Sequence, residues 1–203
     1  MKVNGSSGFT IVEIIITVAI FCLAVWLIFN IFTFSQKFYR QTEDNSELLQ
    51  NGRIVLERIS RDLRQAAELV TQLPQTPDAP GNPPSQEIEF QDGHTPSPYQ
   101  QLGSDYYYIR YYINANTLEL HRQYRVYCFD SCLSCLSYFR WNDTKLVGGQ
   151  TVYTQPCDLE DMVVGEYMQN LQFWGSGLIN ISLNLSKGSQ TVNLKTAVLG
   201  RNF

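Results

Sequence analysis

Hydrophobic positions fall into three regimes along the chain. From Phe9 to Phe34 the residues are almost all apolar, with Glu13 the only formal charge and no proline or glycine in the run. A bilayer core is spanned by about 20 mostly apolar residues, so the run suffices for one transmembrane helix of roughly 39 Å. From Ser35 to Val70 the pattern becomes that of an amphipathic helix. Leu49, Gly52, Leu56, Ile59, Leu63, Ala66 and Val70 recur at spacings of three and four and make one apolar stripe. Arg53, Glu57, Arg58, Arg61, Asp62, Arg64 and Glu68 occupy the other faces, with Glu57–Arg61 and Arg58–Asp62 spaced for pairing along the helix. An ordinary solvated face accounts for these charges, and an anion or partner site is the sharper alternative.

Beyond residue 70 the period shifts to two. Pro74, Pro77, Pro80, Pro83 and Pro84 exclude helix and central strand from 71–87, leaving a surface loop. A second loop, Asp92 to Gly103, holds Pro96, Pro98 and His94. Asp105–Ile113 and Thr117–Tyr127 are dense in aromatic and β-branched residues and flank Asn114-Ala115-Asn116, which predicts a hairpin. Tyr106, Tyr108 and Tyr112 fall on one face, with Tyr107, Ile109, Tyr111 and Ile113 on the other. Leu171–Trp174, Leu178–Leu185 and Thr191–Leu199 read as further strands, the last two joined by Ser186-Lys187-Gly188-Ser189. Ile179, Ile181, Leu183 and Leu185 alternate with Asn180, Ser182 and Asn184, as in a half-buried antiparallel strand. The expected class is α+β: a long N-terminal helix, its first half transmembrane, packed on an antiparallel β domain over 71–203.

Glu13 is out of place in the apolar run. A carboxylate near the middle of a membrane helix costs about 2.5 to 3.5 kcal/mol, against about 0.3 to 0.6 returned by each Leu, Ile, Phe or Val. Such a residue needs a partner, or a wet position near the interface. The preceding residues, Met1-Lys2-Val3-Asn4-Gly5-Ser6-Ser7-Gly8, are short, carry one lysine and end in glycine. A secretory signal has its cleavage site after the apolar region, whereas here the small residue stands before it. A short basic leader, then Gly8-Phe9-Thr10-Ile11-Val12-Glu13 opening an apolar helix, resembles the type IV prepilin signature. The resemblance implies cleavage between Gly8 and Phe9 by a prepilin peptidase, methylation of Phe9, and Glu13 meeting the terminal amine of a neighbouring subunit. Such a pair is costly to leave half-made in a low dielectric and therefore selects one register.

Thr196-Ala197-Val198-Leu199-Gly200-Arg201-Asn202 resembles the Thr-x-Val-x-x-Arg-Asn ending of minor pseudopilins and minor pilins of the type II secretion J and pilus W types. Arg53–Ala67 and the Tyr112–Arg122 hairpin are similar to the same group. What the resemblance implies is a subunit of a pilus-like filament or type II secretion pseudopilus, placed at or near its initiating tip. Its partners would be the prepilin peptidase, other pilin or pseudopilin subunits, the membrane assembly platform and the lipid bilayer. The β domain would lie outside the cytoplasm, with the chain a single-pass inner-membrane protein until it joins a periplasmic or surface filament. Asn30 stands where many major pilins have proline, so the usual kink is expected to be absent. A DNA-uptake or adhesive pilus tip subunit is one alternative, and a membrane-anchored binding domain that never polymerises is another.

Composition narrows the remaining chemistry. The net charge is -4 over 203 residues, with a pI of about 5.2, which argues against a general nucleic-acid binder. Arg110, Arg122 and Arg125 among the tyrosines would otherwise suggest a stacking platform for single strands. Cys22 in the apolar run reads as a small hydrophobe. Cys128, Cys132, Cys135 and Cys157 form a set of four. In an oxidising compartment an even count reads most simply as two disulfides, with three connectivities open. A four-thiolate zinc site is the alternative, although only one C-x2-C pair is present. The C-x3-C-x2-C spacing of Cys128, Cys132 and Cys135 also matches iron–sulfur ligands, which need a reducing compartment. Neither His94 nor His121 sits in a catalytic motif, and no phosphate loop or spaced carboxylate pair stands out. The expectation is a protein with no catalytic residue, metal or cofactor.

Overall fold

The computed structural model describes residues 10–78, 80–93 and 106–200. The leader with Gly8 and Phe9, most of the loop from Asp92 to Gly103 with His94, and Arg201-Asn202 lie outside the described residues. One helix, α1, runs Ile11–Gln65. The chain divides into two compact units, residues 1–44 and 45–203.

In the first unit every described residue up to Phe34 is solvent-exposed, including Ile11, Phe21, Trp26, Phe29 and Phe34. This helix is long and apolar enough to cross a membrane. It passes Asn30 without interruption, and the Asn30 amide donates back to the Trp26 carbonyl at 2.8 Å.

In the second unit the C-terminal half of α1 packs on antiparallel sheet. Strands β1 (Glu68–Leu69), β2 (Ile88–Gln91), β3 (Tyr108–Asn114), β4 (Glu119–Cys128) and β7 (Gln155–Gly165) form a five-stranded sheet in that order. Strands β10 (Gln190–Leu199), β9 (Leu178–Lys187) and β8 (Met168–Trp174) form a second sheet, and β5 (Thr144–Val147) with β6 (Gln150–Tyr153) a separate hairpin. The core joins Leu48, Val55, Leu56, Ile59 and Leu63 of the helix to Phe90, Ile109, Tyr111, Leu120, Leu171 and Phe173. Ile179, Ile181, Leu183 and Leu185 all point into it, as their alternation predicts.

Three details differ from the sequence reading. The helix stops at Gln65 rather than Val70. The Ala67 and Val70 amides instead donate to the carbonyls of Gln91 and Glu89, at 3.0 and 2.9 Å. Edge pairing with β2 satisfies those groups better than another helical turn ending in a β-branched residue. The buried stripe carries Leu48 and Val55, while Leu49 is only half-buried. Asp62, assigned to the polar face, is buried and has Arg122 as its partner in place of Arg58. Strands β5 to β7 are additional. Gly148 and Gly149, at φ of 62° and 83°, supply the turn between β5 and β6 that favours a tight hairpin.

Gly93 shows how closely helix end and sheet approach, since a Cβ there would lie 1.8 Å from the Gln65 carbonyl oxygen. Backbone cannot give way as a flexible side chain does. Gly93→Ala is therefore expected to destabilise the domain by about 2 kcal/mol, read as a lowered urea midpoint. An unchanged midpoint would show that the close approach at Gly93 is not structurally important.

Candidate functional site

The helix start, the disulfide loop and a buried polar network are the places where chemistry concentrates. At the helix start the Thr10 amide and hydroxyl donate to Glu13 Oε2 at 3.0 and 3.1 Å, and the Glu13 amide donates to Thr10 Oγ1 at 3.4 Å. This is a reciprocal capping box, which satisfies backbone donors that a first turn otherwise leaves unpaired. The Thr-x-x-Glu spacing is present in the sequence, although the apolar context points to a partner or a wet interface for Glu13 and not to the helix cap. Glu13 thus has a structural task in the single chain, and its carboxylate is held at the N-terminal end of an otherwise apolar surface. Between Ile11 and Phe34 no other residue is charged.

The four soluble cysteines are paired as Cys128–Cys135 and Cys132–Cys157. Of the three connectivities, this one ties the end of β4 and the start of β7 to the turn between them. Cys128 and Cys157 are buried with Tyr107 and Val126, and Tyr138 packs edge-on to Tyr107. The zinc and iron–sulfur alternatives fall away, because all four sulfurs are consumed. Among the described residues no cluster of three or more His, Cys, Asp or Glu is placed to hold a metal ion. Cys22 is unpaired on the apolar helix. The bridges present an apolar tip: Leu133 and Leu136 are fully exposed, as are most of Leu146 and Tyr153 on the neighbouring hairpin. Beside it lies a cavity of about 490 Å³ lined by Phe129, Leu136, Phe139, Asp143 and Lys145.

A disulfide closing a loop of this size contributes about 2 to 4 kcal/mol, more for the longer loop. Cys132→Ser with Cys157→Ser is therefore expected to lower stability by about 3 kcal/mol. It should also open residues 133–156 to proteolysis, whereas the Cys128/Cys135 pair of serine substitutions should do less. Equal, negligible effects on limited proteolysis would contradict this ranking.

The sheet arginines are neutralised. Arg110 pairs with Glu87, Arg122 with Asp62 at 2.9 Å, and Arg125 with Glu89 at 2.9 Å and Asp158 at 2.8 Å. A stacking platform needs guanidinium groups free for phosphate, and here each faces a carboxylate. Tyr111 donates to Asp62 at 2.8 Å and Tyr127 to Glu89 at 2.6 Å. Burial, reinforced by these carboxylates, pushes both phenols well above their ordinary range. Burial also works against ionised Asp161, but contacts with His121 and Tyr112 outweigh it and hold its carboxyl below the usual range. His121 makes this contact through Nδ1 and stacks on Tyr112, while its buried Nε2 has no hydrogen-bond partner among the described residues and lies 3.8 Å from Glu119 Oε2.

No family model, curated protein or solved structure matches this chain.

Proposed function

We propose that this chain is a minor pilin-like subunit, inserted in the membrane by its N-terminal helix and then drawn into a type IV pilus-like or type II secretion pseudopilus filament. The observation that carries the reading is the helix itself. A single acid, capped by Thr10, opens an apolar surface that no part of the described chain covers. The same helix then continues into a half that is buried against a β domain stapled by two disulfides. Lipid suits the apolar surface, and so does a bundle of like helices, which is what a subunit passing from one to the other requires. Disulfides fit an oxidising compartment outside the cytoplasm. Cleavage at Gly8, methylation of Phe9 and pairing of Glu13 with a neighbour's terminal amine belong to this proposal. So do the prepilin peptidase and the membrane assembly platform as partners.

The exposed Leu133 and Leu136 favour a second reading within the class, an adhesive tip subunit whose cysteine loop meets an apolar surface. Fractionation tests the main proposal. In cells carrying a pilus-type assembly platform, the chain should move from the membrane pellet into the filaments released by shearing. Without the platform it should stay in the membrane. A chain that remains in the membrane under both conditions would be a tethered domain.

A further inference from the structure

Of the charges on the helix, Asp62 is buried against Arg122, while Arg53, Arg61 and Arg64 are exposed and line one groove. The groove, of about 540 Å³, lies between the helix and β10, and Lys195 lines it from the strand. Leu56 and Leu194 supply its apolar part, and Glu57 is the one acid in its lining. Arg53, Arg64 and Lys195 have no ion-pair partner among the described residues, and Arg61 reaches only Asp62, at 3.9 Å, which already holds Arg122. Four cations against one acid make a local excess of positive charge in a chain of net charge -4. By contrast, Arg110, Arg122, Arg125 and Arg140 each face a carboxylate.

Strand β10 is the last strand of its sheet, so one row of its backbone amides and carbonyls has no strand of the described chain to pair with. Leu194 faces the helix at Gly52, where a Cβ would lie 2.5 Å from Leu194 Cδ1. It is nevertheless only half-buried. The open edge and the cations adjoin, since Leu194, Lys195 and Thr196 belong both to β10 and to the groove.

We propose that an extended acidic segment of a different protein lies in this groove and adds to β10 as a fourth strand of that sheet. Backbone pairing gives such a segment its hold, and the arginines select its charge. Dimensions agree. The eleven residues from Arg53 to Arg64 rise about 16 Å along the helix, which a strand covers in about five residues. Alternate side chains of a strand share a face, so acids at every second position place about three on the helix side within that length. A second copy of this chain is a poor donor from its own open edge. On β7, Asp158 is engaged by Arg125, and Asp161 by His121 and Tyr112. A nucleic acid offers phosphates to the same cations, but it has no peptide groups to pair with β10 and leaves that edge bare. The inference stands apart from the filament reading, because the groove belongs wholly to the unit of residues 45–203.

The test uses the full-length chain in detergent micelles and a fluorescein-labelled peptide of eleven residues in which glutamate alternates with valine or threonine. Fluorescence anisotropy should report binding that weakens about tenfold when Arg61→Ala and Arg64→Ala are combined. Both side chains are exposed, and an unchanged urea midpoint shows that the variant folds. Methylating the backbone nitrogens of two adjacent central residues of the peptide keeps every carboxylate but blocks an amide that points at β10. That peptide should bind about tenfold more weakly than the parent. No binding of the parent peptide, or binding that the arginine substitutions leave unchanged, would overturn the groove as its site. A methylated peptide that binds like the parent would overturn strand addition. An oligodeoxythymidylate of equal charge that displaces the peptide at a lower concentration than the unlabelled peptide does would assign the groove to nucleic acid instead. Filament incorporation takes no part in the measurement, so each of these failures leaves the filament reading standing.

Discussion

Replacing Asp62 by alanine is expected to lower the unfolding free energy by about 3 to 5 kcal/mol, a large share of what holds a domain of this size together. Asp62 comes from the helix and is only 3% exposed; Arg122 comes from β4 and is 7% exposed. Arg122 Nε donates to Asp62 Oδ2 at 2.9 Å, and the Tyr111 hydroxyl donates to the same oxygen at 2.8 Å. The guanidinium also donates to the Tyr124 hydroxyl at 3.0 Å and lies 4.4 Å from the centre of that ring. Removing the carboxylate leaves a buried cation and a buried hydroxyl without their acceptor, which costs far more than the pair contributes by existing. Two controls separate that mechanism from simple loss of packing. Arg61→Ala, one residue away and exposed, should change stability by no more than about 0.5 kcal/mol. Asp62→Leu combined with Arg122→Met removes both charges and should recover most of the loss. Urea unfolding followed by circular dichroism measures all three. A loss below about 1 kcal/mol for Asp62→Ala would mean that the helix is held to the sheet by the apolar stripe alone.

The second large effect is expected at Glu13. The capping box accepts glutamine as well as glutamate at this position, so Glu13→Gln leaves the helix start capped and removes only the charge. If the carboxylate pairs with a neighbour's terminal amine inside a helical bundle, breaking that pair costs about 3 to 5 kcal/mol per subunit. Incorporation into sheared filaments should then fall by well over tenfold, while the amount of processed protein in the membrane stays the same. Thr10→Ala does the reverse. It loosens the cap by about 1 kcal/mol, leaves the charge, and should reduce incorporation far less. If Glu13→Gln assembles like the parent and Thr10→Ala does not, the acid serves the helix end and not the neighbour.

Much of the architecture is legible in residue periodicity. The apolar run, the amphipathic continuation, the Tyr-rich hairpin and the final Ile/Leu hairpin all announce themselves locally, because each depends on neighbours a few residues away. What escapes depends on distant partners. Asp62 reads as a surface residue until β4 brings Arg122 beside it, 60 positions along the chain. The helix end at Gln65 is set by pairing with Gln91, which no helical periodicity contains. Disulfide number follows from counting cysteines, but connectivity needs the loop geometry that places Cys132 against Cys157. Strand β7 has Pro156 near its start and charges at Asp158, Glu160 and Asp161, so no apolar alternation marks it, although β4 holds it as an edge strand. The capping box is a different kind of miss. Thr10 and Glu13 stand at the spacing of the box, a local signal that the surrounding apolar run masks.

The central claim is that this helix is made to be trimmed at its start and moved from lipid into a bundle. Mass spectrometry of the amino-terminal peptide, after expression of the full chain beside an active prepilin peptidase, tests it most directly. The account predicts a peptide that begins at Phe9 and bears one methyl group on its terminal nitrogen. A peptide that still contains Met1 to Gly8 would contradict it.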